Sequence, residues 1–450
     1  MKKIYLLFLM VVLFIGTQAQ VVAVTVTNPA NTTPALAASY TSLANAVTAL
    51  NGVTAFSGPV TLTCASGPET APAGGYVINF TGATSAANNV VIAGSSTTIT
   101  APTPQASGVL VDAIFKIIGS DFVTIQGFTM LENAANTTTA AATNNMTEFG
   151  VALFYATTTN GAQNNSIQNN TITLNRTYQN TWGIYSNSTH SSTTITTAAS
   201  ATTTAGGNSG LKIYSNTISN VNQGILYLGP LAAADYNTGL DIGGANGSTA
   251  NSITNWGTTG TFSGYVNVSG TLNCILVRNA TGYNISYNTL TSSAGGNTVT
   301  ASERAIFVPA FTVAPTGTFS NSINFNNISV KSGIITGTMN GIIVEATTAS
   351  ATSSLNINNN DFNNFGHTVA GTGAINFINT LATNQFTVIN NNTFTNLNVN
   401  TTGSVTFIAQ SFTASATGTK SVTGNAIVTG FTKTGAGGTV IFVTDNGSTV

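Results

Sequence analysis

Apolar residues along this chain fall into two short patterns that alternate from about residue 120 onward. The first is an apolar residue, two others, an asparagine, one more residue and a second apolar one, as in Ile167-Gln168-Asn169-Asn170-Thr171-Ile172. Its asparagine recurs as Asn170, Asn216, Asn251, Asn288, Asn326, Asn360, Asn392 and Asn425, at steps of 46, 35, 37, 38, 34, 32 and 33 residues. Three residues earlier stand Ile167, Ile213, Ile285, Ile323, Ile357, Ile389 and Val422; only Asn251 breaks the rule, with Ser248 there. The second pattern is a short apolar run often opened by Gly or Ala, such as Gly183-Ile184-Tyr185, Gly224-Ile225-Leu226-Tyr227, Ala305-Ile306-Phe307-Val308 and Gly341-Ile342-Ile343-Val344. One such run follows every asparagine motif. An earlier unit, Val123–Met130 and then Gly150–Leu153, fits the same order with Gly127 in the bend position.

The spacing predicts strand, bend, strand. Residues on one face of a strand are an even number apart, whereas the two apolar positions around each asparagine are five apart. A bend at the asparagine brings both to one interior, and asparagine tolerates the left-handed backbone that a sharp bend needs. A repeat near 33 residues without helical periodicity predicts a solenoid of strands. Helical arrays of similar period need amphipathic helices, and Thr, Asn, Gly and Val are poor material for those. Propeller blades would carry four strands at a longer, regular period.

On these stacked Ile-x-x-Asn-x-Ile units the chain resembles the parallel β-helix repeat family, the pectin-lyase-like superfamily. The resemblance implies an all-β, right-handed parallel β-helix with an interior asparagine ladder at one bend of successive coils. It covers roughly residues 75–450 and is nearly silent on function.

Before the repeats, Leu43, Val47 and Leu50 recur at helical spacing and Gly52 follows as a stop, which predicts a short helix over residues 41–50. With Pro59–Cys64 it resembles the cap that precedes β-helices in secreted surface proteins of Gram-negative bacteria, covering the open end of the first coil. At the start, Lys2 and Lys3, an apolar run from Ile4 to Ile15 and the small residues to Ala19 read as an export signal cleaved near Ala19. The expected organisation is therefore 1–19 signal peptide, 20–74 cap region and 75–450 β-helix. The chain stops seven residues after the strand motif Val440–Val443, so a longer natural protein is expected. Stretches rich in Thr, Ser, Ala and Gly at Asn133–Thr147, Ser191–Gly207, Gly257–Thr271 and Thr347–Ser353 are expected to loop out of the stack.

Composition narrows the chemistry. Charged residues make up 5% of the chain, while it holds 80 Thr, 55 Asn and 45 Gly. Apolar residues at 42% argue against disorder. Without Lys2 and Lys3, 8 basic residues face 11 acidic ones, a formal charge of −3, and no basic cluster suits nucleic acid. Cys64 and Cys274, 210 residues apart, are expected to be separate buried thiols in a linear stack.

A catalytic β-helix would need acids, or a base with a cation, in one register on adjacent coils. Counted from the nearest asparagine, Lys212 lies at −4, Arg176 at +6, Lys331 at +5 and Asp361 at +1; only Asp241 and Arg278 coincide, both at −10. They are expected either to pair across coils or to form, with Asp235, the seed of a cationic site. His190 and His367 are expected in solvated loops, as neither a zinc site nor a triad. Trp182, Tyr185, Tyr214, Tyr227 and Tyr236, with Arg278, are the candidate carbohydrate contacts, set against the ordinary role of such aromatics in the core. The resulting expectation is a non-enzymatic extracellular scaffold, an adhesin or surface stalk, with a polysaccharide lyase, glycoside hydrolase or glycan-binding module as the alternative. No cofactor, metal, nucleic acid or membrane span is expected; a polysaccharide or a host or neighbouring cell surface is the candidate partner.

Overall fold

The computed structural model describes residues 21–447 apart from 107–109, 141–142, 194–198, 259–271, 300–301, 346–352, 382–385 and 415–416. The export signal and most of the Gly257–Thr271 and Thr347–Ser353 stretches lie outside the described residues.

Each repeat makes one coil. The coil of Asn216 contributes Lys212–Tyr214 and Thr217–Ser219, on either side of the asparagine, to one sheet and Gln223–Leu228 to another. Among the described residues, repetition along the chain builds a first sheet of 22 strands and a second of 11. From Val60 onward the ladders within these two sheets are parallel, and right-handed crossovers are the rule for parallel neighbours. The fold is a right-handed parallel β-helix. Stacking starts earlier than the expected residue 75, because Val60–Cys64 and Gly67–Thr70 already pair in parallel with Val90–Thr100.

Apolar residues stack in register inside the coils. Ile167, Ile213, Ile242, Ile285, Ile323 and Ile357 form one fully buried row. Aromatic rows stack elsewhere in the same interior: Phe362, in register with Ile328, and Phe394 at 5.4 Å, Phe377 and Phe407 of the second sheet at 5.0 Å. Ile242 explains the irregularity at Ser248. It stands nine residues before Asn251 instead of three, and the six extra residues leave the coil as an excursion containing the short turn Gly247–Thr249. The excursion leaves at Gly243 (φ 96°), where a Cβ would lie 1.8 Å from the Ser286 carbonyl oxygen.

The asparagines turn inward and bond along the stack. The backbone N–H and side-chain amide of Asn326 both donate to Asn360 Oδ1, at 3.0 and 2.9 Å; Asn360 repeats this to Asn392 at 2.9 Å, and Asn392 to Asn425 at 2.9 and 2.8 Å. The same amides also reach the coil before: Asn360 Nδ2 donates to Ile323 O and Asn392 Nδ2 to Ile357 O, both at 2.9 Å. The ladder begins where Phe128 N–H meets Asn170 Oδ1 at 3.1 Å. The left-handed residue is not the asparagine itself but the one before it: Asn169, Ser215, Tyr287, Phe325, Asn359 and Asn391 all have φ between 53° and 62°. That residue absorbs the bend and leaves the asparagine free to point in.

The cap is a helix, Leu43–Asn51, started by Ser42 Oγ accepting from Asn45 N–H at 3.2 Å. Leu43, Ala46, Val47 and Leu50 are buried. Beside it Val24–Thr27 pairs antiparallel with Val60–Cys64. Cys64 and Cys274 are separate buried thiols, and burial pushes the Cys64 thiol up to about 12.

Replacing a mid-ladder asparagine strands donors and acceptors on both neighbouring coils. Asn360→Ala is expected to lower the unfolding free energy by about 3 kcal/mol or more in urea titrations, since each orphaned buried group costs about 1–3 kcal/mol. Asn425→Ala, at the exposed end of the row, is expected to cost clearly less. Equal losses at the two positions would show that the ladder does not hold the coils together.

Candidate functional site

The first sheet shows its outer face to solvent, and two of the polar rows on it precede the bend. Four residues before the asparagine run Ser166, Lys212, Asp241, Asn284 and Ser322 on successive coils. With the six-residue excursion removed, Asp241 moves from −10 to −4, the register of Lys212. Two residues before the asparagine run Gln168 and Tyr214, preceded by Gln126. A groove of about 420 Å³ crosses four coils here, lined by Thr124, Gln126, Ser166, Gln168, Lys212 and Tyr214 among others.

Asp241 organises the end of this groove. Its Oδ2 accepts from Tyr214 Oη at 2.5 Å, and its Oδ1 accepts from Asn284 Nδ2 at 2.8 Å and Gly244 N–H at 3.1 Å. Partial burial, then the hydrogen bond to Asp241 and its charge, raise the Tyr214 hydroxyl above its ordinary range, so it remains a donor. Gln168 Nε2 bonds Gln126 Oε1 at 2.7 Å. Lys212 is exposed and in register with Asp241 on the next coil. No acidic oxygen among the described residues lies within ion-pair distance of its ammonium. The surface thus offers amide and hydroxyl groups in rows, one cation, and one carboxylate shared by a phenol and an amide.

Several sequence expectations are corrected. Arg278 does not stack on Asp241. It ends the strand Leu272–Arg278 of the second sheet, in register with Leu228, and its Nε donates to Ala310 O at 3.0 Å. Trp182, Tyr185 and Tyr227 are fully buried and Tyr236 nearly so, which leaves Tyr214 as the one aromatic of that group with a solvent-facing edge. Trp182 and Tyr185 belong to an apolar layer with Phe149, Phe154, Leu226 and Leu110 on the outer side of the second sheet. Tyr227 points inward and donates to Asn208 O at 2.8 Å. Tyr236 stacks on Phe311 at 5.3 Å. Neither histidine is solvated: His190 is buried with its Nδ1 2.7 Å from Tyr185 Oη, and His367 is buried with its Nδ1 3.0 Å from Ile334 O.

Two groups of buried acids were not legible as sites. Asp112 and Glu148, both buried, lie near Lys116 and Tyr178 at the start of the second sheet, with half-buried Glu132 beside Asp112. Tyr178 Oη donates to Glu148 Oε1 at 3.2 Å, and Asp112 N–H to Glu148 Oε2 at 2.8 Å. Burial raises Glu148 well above the carboxylate range and Asp112 to about 6. Glu303 is fully buried, in register between Leu272 and Met339 of the core, with Asn297 Nδ2 at 2.7 Å from its Oε2. Burial pushes it up to about 8. Neither group lines the groove. A smaller groove of about 220 Å³ lies between Lys331, Phe365, His367 and Asn398. Among the described residues no three histidine, cysteine or acidic side chains converge as metal ligands would, and no helix is long and apolar enough to cross a membrane.

No protein-family model and no curated protein matches the chain. Two solved structures from Azotobacter vinelandii are similar in overall course. The A-module of mannuronan C-5 epimerase AlgE4 aligns over 87% of this chain and 91% of its own, with 11% identity and a TM-score of 0.36. The A-module of mannuronan C-5 epimerase AlgE6 aligns over 90% and 94%, with 12% identity and a TM-score of 0.32. At this level neither likeness bears on the chemistry of this chain, and the fold rests on the ladders described above.

Glu303 sets a pH dependence. A carboxyl whose folded pKa is raised favours the folded state while it is protonated; that contribution is complete below about pH 4 and is lost as pH rises toward 8. Glu303→Gln, which keeps an acceptor for Asn297, is expected to match the parent at pH 4 and to exceed it by pH 8.5, by at most on the order of 4 kcal/mol. Urea titrations of both proteins at the two pH values check this. A constant difference across the range would place the charge of Glu303 outside the stability balance.

Proposed function

We propose that this chain binds a polysaccharide along the outer face of its first sheet. The observation that carries the reading is the pair of aligned polar rows. A stack of coils repeats about every 4.8 Å, so successive coils offer the same hydrogen-bonding groups along a line, as a polymer of similar units requires. The groove over Gln126, Gln168, Lys212 and Tyr214 supplies donors and acceptors for sugar hydroxyls, and Lys212 supplies a cation for an acidic substituent. A bare scaffold or adhesin role has only the sparse charge behind it. The start of the chain, with its two lysines before an apolar run, is in keeping with a ligand met outside the cell.

A catalytic version of the same reading is favoured by one observation, the Tyr214–Asp241 hydrogen bond beside Lys212. Elimination from a uronate needs a base and a cation to neutralise the carboxylate. Hydrolysis needs two carboxylates about 5–10 Å apart, and Asp241 is the one carboxylate placed at this end of the described groove.

Affinity electrophoresis through gels containing pectate, alginate or a neutral glucan tests the binding. Retardation by at least one polymer is expected. Lys212→Ala is expected to weaken retention by acidic polymers about tenfold while sparing the neutral one, and Gln168→Ala to weaken both. Retention unchanged in both variants would move the site off this face. Product chromatography with the parent and Tyr214→Phe separates the two versions: binding without oligosaccharide release supports a binding protein, and release that Tyr214→Phe abolishes supports the enzyme.

A further inference from the structure

The bend residue is in the left-handed region on most coils, and at most of these positions it is small or an asparagine: Ser96 and Gly127 on the coils before the first ladder asparagine, then Asn169, Ser215, Asn359, Asn391 and Gly424. Two adjacent coils depart from this. Tyr287 (φ 62°) and Phe325 (φ 57°) hold large aromatic side chains in a conformation that such residues rarely adopt. Their rings lie 4.7 Å apart with planes 4° from parallel. Phe325 is 45% exposed, and Tyr287 is half-buried between it and the excursion near Gly247, whose Cβ would stand 4.0 Å from the Tyr287 ring. Neither belongs to the apolar interior. Burial therefore does not explain them, and the backbone disfavours them. Strain of this kind persists where the side chain is wanted.

Their position says for what. Ser286 and Asn324, the neighbours just before them, belong to the polar row that contains Tyr214. The pair sits at the rim of that face, Tyr287 two coils and Phe325 three coils along the axis from Tyr214, about 10 and about 15 Å at one coil per about 4.8 Å. One face of the Phe325 ring is backed by Tyr287; on the other side the row continues with Asn359, which is too short to bury it. An exposed ring with a firm backing beside rows of amides and hydroxyls suits a pyranose, which has an apolar C–H face and a polar edge. We propose that Tyr287 and Phe325 form a stacking platform for a sugar ring of the bound polysaccharide, with Phe325 in contact and Tyr287 as its support. This deepens the reading of the outer face as a polysaccharide site and rests on it.

The row itself supplies clean variants, because asparagine occupies the same left-handed position at 169, 359 and 391. Phe325→Asn and Tyr287→Asn are expected to fold with melting temperatures no lower than the parent's, while retention by the polymer that the parent binds among pectate, alginate and a neutral glucan falls about tenfold for Phe325→Asn and less for Tyr287→Asn. Phe325→Tyr is expected to keep retention. Parental retention in Phe325→Asn, alongside weakened retention in Gln168→Ala, would remove the platform and leave the groove. A parent that no polymer retards would remove both. Parental retention together with loss of self-association on a sizing column would make the pair a protein contact and overturn the proposal.

Discussion

The inward-facing asparagine is the constraint on which the coils depend. Each Asn side chain presents an acceptor to one neighbouring coil and a donor to both, so a row of identical residues satisfies itself only when successive coils are in register. Buried polar groups are costly when unpaired, and this cost fixes the register more sharply than the apolar rows do, since Ile, Leu and Phe interchange within them. The bend residue before it, left-handed in most coils, exists to point that asparagine inward. Strand pairing, the stacked Phe rows and the aligned outer polar rows then follow from one repeated alignment.

That alignment also separates the two sheets by role. The second sheet carries an additional apolar layer on its outer side, with Phe149, Trp182 and Tyr185 packed together. Among the described residues the first sheet carries no such layer around the groove and keeps amides, hydroxyls, Lys212 and Asp241 outermost there. A polymer would meet the face where the coil repeat is displayed without a cover. For the buried acids near the second sheet and in the core, desolvation is the largest influence on titration.

The fold was legible because its signal is redundant. Eight asparagines with flanking apolar residues leave few arrangements that bury both, and the helix at Leu43–Asn51 follows from Leu43, Val47 and Leu50 with Gly52 as its stop. The site was less legible for two physical reasons. Counting from Asn251 passes through the excursion, so Asp241 was matched with Arg278 on another sheet rather than with Lys212. Burial on the outer side of a sheet depends on what folds over it, and no local pattern announced that Trp182, Tyr185 and His190 would be covered. Glu303 shows the same limit in the opposite sense, as a charged residue type on an inward register among Leu272 and Met339. Tyr287 and Phe325 were visible as apolar residues just before an asparagine, but their left-handed backbone, which makes them unusual, is a property of the folded bend.

The excursion between Gly243 and Ala250 has a consequence of its own. The chain leaves one coil after Ile242, returns at Asn251, and the returning asparagine takes its place in the ladder with Nδ2 donating to Asn288 Oδ1 at 2.9 Å and Ile213 O at 2.8 Å. Entry into the row therefore does not depend on the length or the route of the segment before it. This bend is a natural splice point, where a foreign loop of different size could be grafted and carried on a rigid, regularly spaced shaft without disturbing the coils above and below.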